Sequence, residues 1–291
     1  MRPNRTLVRA LAELLNAANG VRPLGRQGYR TVANFAFGWP TTELTPLYLA
    51  GSTLSALRRG IRGDFAGRRG RIALAIHVIG WALLVLLIRR NVRSEPYFEA
   101  GLEAELGAGY RELAATSAPA LAAARDHGGI FATGWSRHRY VEKGIVRYGP
   151  HGRANMADIW RRADLPRDAR APVLLQVPGG AWSIGMRRPQ AYPLMSHLAE
   201  RGWVCISIAY RVSPRHTWPD HMVDVKRALA WVKANIADYG GDPEFVAMTG
   251  GSAGGHLCAL AALTPNDPKF QPGFEDADTS VVAAVPFYGV Y

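Results

Sequence analysis

One five-residue motif constrains this chain more than any other feature of its sequence. Gly250-Gly251-Ser252-Ala253-Gly254 is a G-x-S-x-G sequence between a strand-like run (EFVAM) and an apolar helical run (AGGHLCALAAL). A serine at a strand-to-helix turn is held in a strained backbone conformation that lifts its hydroxyl above the sheet. The motif therefore predicts that Ser252 is a nucleophile. The five letters alone also fit a glycine-rich turn that binds a phosphate or has no ligand.

A second glycine-rich turn lies roughly seventy residues upstream, where the apolar run VLLQV leads into Pro178-Gly179-Gly180-Ala181-Trp182. A loop of this kind after an early strand supplies oxyanion-hole N–H groups in α/β hydrolases. Its small residues let backbone donors come within about 3 Å of a substrate carbonyl oxygen. Two such turns in this order favour a hydrolase site over a chance match.

The sequence after residue 130 alternates short strands with helices, which predicts a mostly parallel α/β sheet. Several of the strands are continuous apolar runs, as expected when helices cover both faces of the sheet. The predicted strands are 140–148, 155–161, 172–177, 203–210, 244–249 and 280–287, and the predicted helices are 188–201, 219–239 and 253–263.

The N-terminal third of the chain has a different character. Residues 1–93 hold fifteen arginines and three acidic residues, which account for the whole net charge of +12. The uncharged run 72–88 lies between clusters of arginine. As a helix it is roughly 26 Å long, slightly short of a hydrocarbon core of about 30 Å. We expect membrane association through this helix, with the side unassigned because arginines flank both ends. A buried core helix is the alternative.

Other parts of this region give weaker signals. Leu7, Leu11, Leu14 and Leu15 recur at helical spacing and predict an amphipathic helix. Residues 32–50 are apolar but interrupted, and fit a broken or re-entrant segment or a loop packed on protein. A nucleic-acid-binding arm is disfavoured because the region has no recognition motif. The expected organisation is a basic membrane-associated region (1–93), a helical linker or cap (94–129) and the hydrolase domain (130–291).

Together with their flanking sequence, these motifs resemble those of a known protein family. From about Pro172 to Tyr291 the chain resembles the hormone-sensitive-lipase-like and feruloyl-esterase-like carboxylesterases, which have the α/β-hydrolase fold. The matching stretches are GGAWSIG, AYRVSPRHTWPDHMVDVKRALAWVKANIADYGGDPEFVAMTGGSAGGH and SVVAAVPFYGVY. The resemblance implies a serine hydrolase that cleaves carboxylic esters through an acyl-enzyme on Ser252, without a cofactor or metal.

The resemblance also implies an oxyanion hole. Carried over by position, its donors are the N–H groups of Gly180, Ala181 and Ala253, with Gly179 shaping the loop. Pro178 stands where most relatives have a histidine. We expect the fixed φ of this proline to hold the loop in place of histidine hydrogen bonds.

The partners of the serine are the larger departure from the family. In the relatives the acid and then the histidine follow strands that come after 280–287. The only histidine after Ser252 in this sequence is His256, one helical turn on, and we expect it to be structural. None of Asp267, Asp276 and Asp278 is assigned as the acid. The resemblance thus predicts a C-terminally truncated chain that lacks the last strands and is catalytically incomplete.

Other functions remain open at this level. An amidase or formamidase reaction fits the same fold, and so does a membrane-tethered binding module without turnover. The expected ligand is a small-molecule or lipid-like ester, with Trp182 and Trp218 either lining its pocket or packing in the core. Cys205 and Cys258 lie in apolar runs and are expected to pack as hydrophobes. The sequence does not predict the oligomeric state.

Overall fold

A computed structural model describes residues 5–23, 29–112, 138–142 and 145–291. The chain divides into two compact units, Met1–Ala118 and Pro119–Tyr291. Of the predicted linker 94–129, residues 113–129 lie outside the described part of the chain.

The first unit is helical. Its helices are α1 (Arg5–Val21), α2 (Tyr29–Glu43), α3 (Thr45–Ile61), α4 (Arg68–Val92) and α5 (Glu95–Leu106). The segment 32–50 is therefore a broken helix, interrupted at Leu44, and the loop alternative is wrong. Pro40 is tolerated inside α2. Among the described residues, one helical stretch, Arg68–Leu106, is long and apolar enough to cross a membrane by length and composition.

The direction of these helices follows from their contacts. The backbone of Leu14 lies against Gly80 and the carbonyl of Val21 accepts from Arg90, so α1 and α4 run side by side in the same direction. The helix α2 stays at the end of α1, because Asn34 and Thr42 both lie near residues 19–20, and α3 runs the opposite way. Asn19 near the end of α1 donates to the carbonyl of Asn34 in α2, whereas Glu13 nearer its start meets Ser52 in α3.

The second unit is built on a six-stranded mixed sheet. Its strands are β1 (Val146–Arg147), β2 (Met156–Trp160), β3 (Ala171–Val177), β4 (Val204–Ile208), β5 (Gly241–Gly251) and β6 (Ala283–Phe287), in the order β1-β2-β4-β3-β5-β6. Its helices are α6 (Tyr192–Glu200), α7 (Asp220–Asn235) and α8 (Ala253–Leu263). The strands β4, β3, β5 and β6 are parallel, while β1 and β2 pair antiparallel at one edge.

Helices cover both faces of this sheet, as the apolar strands predict. On β3, Leu175 packs in a buried cluster with Leu229 of α7 and Leu257 of α8. Its neighbour Leu174 points the other way, into a cluster that contains Met195 of α6. Because the parallel strands end at the same edge, the loops after β3, β4, β5 and β6 are gathered there.

Most predicted elements differ from the structure in extent, among them the strand 140–148 and the helix 188–201. Of the predicted strand 140–148, only Val146–Arg147 and an isolated bridge between Val141 and Trp160 form, and residues 143–144 are outside the described part. The predicted helix 188–201 begins at Tyr192. Its first turn is absent because Arg188 is bound to Asp158 of β2 and Ala191 has a left-handed backbone, with φ 57°.

Candidate active site

Ser252 occupies the strained turn that its motif predicts. It lies between the last residue of β5 and the first of α8, with φ 55° and ψ −121°. A non-glycine residue in this region costs of order 1–3 kcal/mol and persists only where its surroundings hold it. Here the Ser252 N–H donates to the carbonyl of Phe287 at 3.0 Å, and the Ser252 carbonyl accepts from the N–H of His256 at 3.0 Å.

The glycine two residues after the serine is required by packing. A β-carbon added to Gly254 would lie 2.2 Å from the carbonyl oxygen of Val177, the last residue of β3. That oxygen belongs to a sheet strand and cannot move aside. The first turn of α8 therefore passes directly over the end of β3, and only glycine fits there.

The loop after β3 lies against the serine turn. A β-carbon on Gly179 would lie 2.5 Å from the carbonyl oxygen of Gly251 and 3.5 Å from the Ser252 Cβ. The structure thus brings together two glycine-rich turns that are far apart in the sequence. This approach is the geometry that an oxyanion hole beside a nucleophile needs.

The backbone N–H groups assigned to the oxyanion hole are free in the structure. In the described part of the chain, those of Gly180, Ala181 and Ala253 donate no hydrogen bond. Ala253 opens α8, where the first N–H groups of a helix have no partner of their own. The N–H of Gly179 is instead donated to the Oε1 of Gln190 at 2.8 Å, so Gly179 shapes the loop.

Two side chains that the sequence analysis did not single out hold this loop. Gln190 also donates from Nε2 to the Gly179 carbonyl at 3.0 Å. The buried hydroxyl of Tyr210, just after β4, donates to the Pro178 carbonyl at 2.9 Å. Burial raises the pKa of Tyr210, so its hydroxyl keeps the proton that it donates. These bonds fix the loop at the position where Pro178 offers no side-chain hydrogen bond.

The segment that carries Gln190 is itself fastened to the sheet. The carboxylate of Asp158 in β2 accepts from Arg187 Nε at 3.0 Å and from an Arg188 terminal nitrogen at 2.8 Å. Burial raises the pKa of Asp158, but the hydrogen bonds from Arg188 and Arg187 outweigh this effect and the pKa is lowered. Asp158 therefore stays ionised and anchors the approach to Gln190.

His256 lies beside the serine turn in an aromatic cluster. Its ring centroid is 5.4 Å from that of Trp182 and 6.4 Å from that of Trp218, which in turn contacts Phe270 at 5.6 Å. The buried Nδ1 of His256 has no hydrogen-bond partner among the described residues. The half-exposed Trp218 ends this cluster at the surface. In the described part of the chain, His256 forms no hydrogen bond with the Ser252 hydroxyl.

A buried ion pair stabilises the connection after β4. Arg211 donates from Nε and a terminal nitrogen to Asp224 of α7 at 3.0 and 2.8 Å, and Asp224 is fully buried. This contact ties the connection after β4 to α7. His216 Nδ1 lies 3.1 Å from Asp220, a local contact of the same loop.

The acidic residues left unassigned by the sequence have local roles. Asp267 accepts the N–H of Lys269. Asp278 accepts the N–H of Ser280 and lies 3.1 Å from Lys233 Nζ. Within the described ranges, no group of three or more His, Cys, Asp or Glu residues could hold a metal ion. Cys205 and Cys258 are buried and unpaired.

Sequence comparisons find proteins that are similar to this chain. Residues 158–291 match the protein family BD-FAE. The chain is 47% identical to the "Probable carboxylic ester hydrolase LipM" of Mycobacterium tuberculosis over 98% of its own length and 66% of that protein. It is 68% identical to "Esterase LipQ" of the same organism over 50% of its length and 35% of that protein.

Among solved structures, the apo form of esterase 2 from Thermogutta terrifontis is 29% identical, with a TM-score of 0.46, over 50% of this chain and 55% of that one. The chain spans no more than about two thirds of the length of these curated relatives.

Proposed function

We infer the function from one premise: residues 158–291 belong to the BD-FAE family and form a domain of the α/β-hydrolase fold. On this premise we propose that the protein is a carboxylic ester hydrolase with Ser252 as its nucleophile. The observation that carries the proposal is the close approach of the Gly179 loop to the serine. A β-carbon added to Gly179 would lie 3.5 Å from the Ser252 Cβ. That approach places a loop with free N–H groups beside a strained serine.

The proposed reaction is an acyl transfer. The Ser252 Oγ attacks the ester carbonyl carbon, its proton passes to a general base, and the carbonyl oxygen becomes an oxyanion. The N–H groups of Gly180, Ala181 and Ala253 bind that oxyanion. The C–O bond to the alcohol then breaks, the alcohol leaves with a proton, and water hydrolyses the acyl-enzyme. Removing one oxyanion donor costs about 10²- to 10³-fold in rate in a well-studied hydrolase.

The proposal assigns this chain the nucleophile and the oxyanion donors, and no more of the machinery. A serine hydroxyl is a weak nucleophile at neutral pH and needs an adjacent base. Among the described residues, no side chain forms a hydrogen bond with the Ser252 hydroxyl. The base and the acid are therefore not assigned to any residue of this chain.

The substrate and location follow from other features. The names of the relatives support a small-molecule ester as substrate. Trp182 and Trp218, in the aromatic cluster around His256, are proposed to contact its apolar part. We also propose that the chain associates with a membrane through residues 72–88 of α4, which are uncharged and flanked by arginines.

A substrate panel tests the proposal. The whole protein is assayed with p-nitrophenyl esters of increasing acyl length and with the matching anilides, which are amides. Ser252→Ala is compared with Ser196→Ala, a control serine on α6 that bonds only to the carbonyls of its own helix. We expect esters to be cleaved and Ser252→Ala to abolish cleavage. Preferential cleavage of the anilides would instead support an amidase.

A further inference from the structure

Small and polar residues fill the interior of the helical unit. Where α1, α3 and α4 meet, the buried residues include Ala17, Ser52 and Gly80. Across α1–α4, Leu84 and Leu87 are the only large aliphatic side chains buried among the described residues. A water-soluble helix bundle fills this space with large apolar side chains. Small residues that let helices approach closely are typical of helix interfaces in membranes.

Large apolar side chains cover the exterior of the same unit. The exposed fraction is 57% for Leu15 of α1, 70% for Phe37 of α2, 68% for Leu54 of α3 and 52% for Val78 of α4. Every one of these four helices thus presents large apolar side chains outward. A contiguous apolar surface of this kind needs a covering partner. The inverted arrangement, with polar groups inside and apolar groups outside, matches hydrocarbon as that partner.

The one acidic group in the middle of this unit is satisfied from within. The Glu13 carboxylate accepts from Ser52 Oγ at 2.6 Å and from Arg9 Nε at 2.8 Å. Trp81 Nε1 donates to the same Ser52 oxygen at 2.9 Å. His77 Nδ1 lies 3.2 Å from Glu13, a close contact that lacks hydrogen-bond alignment. Ionisable groups in membrane helices face the bundle interior and pair there, as these do.

The helix lengths suit a bilayer. The 17 residues each of α1 and α3 give about 26 Å, and the 25 residues of α4 give about 38 Å. A hydrocarbon core is about 30 Å thick. Because α1 and α4 run in one direction and α3 runs in the other, the chain passes along the bundle three times.

Arginines mark both ends of the bundle. Six lie in residues 58–71, at the turn from α3 to α4. At the other end lie Arg22 after α1 and three more at the end of α4, Arg89, Arg90 and Arg93. Each arginine beside anionic headgroups adds about 1 kcal/mol of attraction. This charge at both ends of an apolar girdle favours a bilayer over a second protein as the partner.

We propose that α1, α3 and α4 each cross a lipid bilayer, so that the chain crosses it three times. The proposal extends the membrane association through residues 72–88 proposed above and is independent of the esterase reaction. Residues 58–71 lie on the cytoplasmic side, because residues 5–9 and 58–71 at that end hold eight arginines, whereas residues 22–30 and 89–93 at the other end hold six. The chain after Arg93 then emerges on the opposite side.

Sided cysteine labelling tests this topology in the whole protein. Cys205→Ala and Cys258→Ala provide the background, and both native thiols are buried. Single cysteines are introduced as Pro23→Cys, Ala66→Cys and Ala100→Cys, all at exposed positions. Intact cells are treated with a membrane-impermeant maleimide before and after permeabilisation. Arg22→Cys serves as a second probe if Pro23→Cys does not accumulate in membranes.

We expect Pro23→Cys and Ala100→Cys to react in intact cells and Ala66→Cys only after permeabilisation. If Pro23→Cys shares the side of Ala66→Cys, three crossings are wrong and a single crossing through 72–88 stands. If all three cysteines react on the same side, the chain does not cross the membrane and the proposal of three crossings fails. The mirror-image pattern would overturn the orientation while supporting three crossings.

Discussion

The side-chain amide of Gln190 brackets the peptide of Gly179. Its Oε1 accepts the Gly179 N–H at 2.8 Å and its Nε2 donates to the Gly179 carbonyl at 3.0 Å. The peptide groups on either side of Gly179 are thereby fixed in direction. Since the next residues carry the N–H groups assigned to the oxyanion, Gln190 acts as a positioning residue for them. It does so without contact to the reacting atoms.

Gln190→Ala is therefore expected to lower kcat by roughly 10-fold, with KM changed little, because the oxyanion donors matter most in the transition state. Steady-state kinetics on the preferred p-nitrophenyl ester measures the two constants separately. Gln190→Glu keeps an acceptor for the Gly179 N–H but loses the donor, so we expect an intermediate kcat. Equal kcat values for Gln190→Ala and wild type would show that the bracket has no role in rate.

Two arginine–aspartate pairs differ in burial and should therefore differ in how much they contribute to the free energy of unfolding. Arg211 pairs with the fully buried Asp224, whereas the Arg170 side chain, which pairs with Asp242, is 71% exposed. Arg211→Ala leaves a buried carboxylate unpaired and should cost about 3–5 kcal/mol of unfolding free energy. Arg170→Ala should cost about 0–1 kcal/mol. Urea unfolding of the solubilised protein, followed by tryptophan fluorescence, compares the two. Similar losses would refute the burial argument.

Lys226 makes stability depend on pH. Its fully buried Nζ donates to the carbonyls of Ala261, at 2.9 Å, and Thr264. Burial lowers its pKa from 10.5 to about 8. Between these values the unfolded chain binds more protons than the folded one, so this group's contribution to stability rises with pH.

The change is isolated by comparison with Lys226→Met, because tyrosine and cysteine residues also titrate at high pH. The melting temperature of wild type minus that of the variant should increase from pH 7.5 to pH 9.5. A difference that stays constant or shrinks over this range would contradict a depressed lysine pKa.

The central motif was predictable because it is local. A serine between a strand and a helix, with glycines two residues before and after it, fixes its own backbone, and the structure has Ser252 at φ 55°. The strands β3, β4 and β5 were also predictable, because burial on both faces makes each of them an apolar run. The predicted strands 172–177, 203–210 and 244–249 each overlap one of these observed strands.

The supporting residues were not predictable for the opposite reason. A single glutamine in an irregular segment carries no local signal, and Gln190 gains its role only when β2 holds the preceding arginines through Asp158. The amphipathic helix α1 formed as predicted, but Leu11 and Leu15 are exposed and Ala10 and Ala17 are buried. Periodicity shows that a helix has two faces. It does not show whether water or hydrocarbon surrounds it.

Covalent labelling tests the role of Ser252 most directly. The whole protein is treated with a fluorophosphonate, which phosphonylates activated serines with loss of fluoride, and the modified peptide is identified by mass spectrometry. We predict a single adduct on Ser252 that is lost in Ser252→Ala and kept in Ser196→Ala, with ester hydrolysis falling by about 10⁴- to 10⁶-fold in Ser252→Ala only. An adduct on another residue, no adduct at all, or undiminished hydrolysis by Ser252→Ala would contradict the assignment.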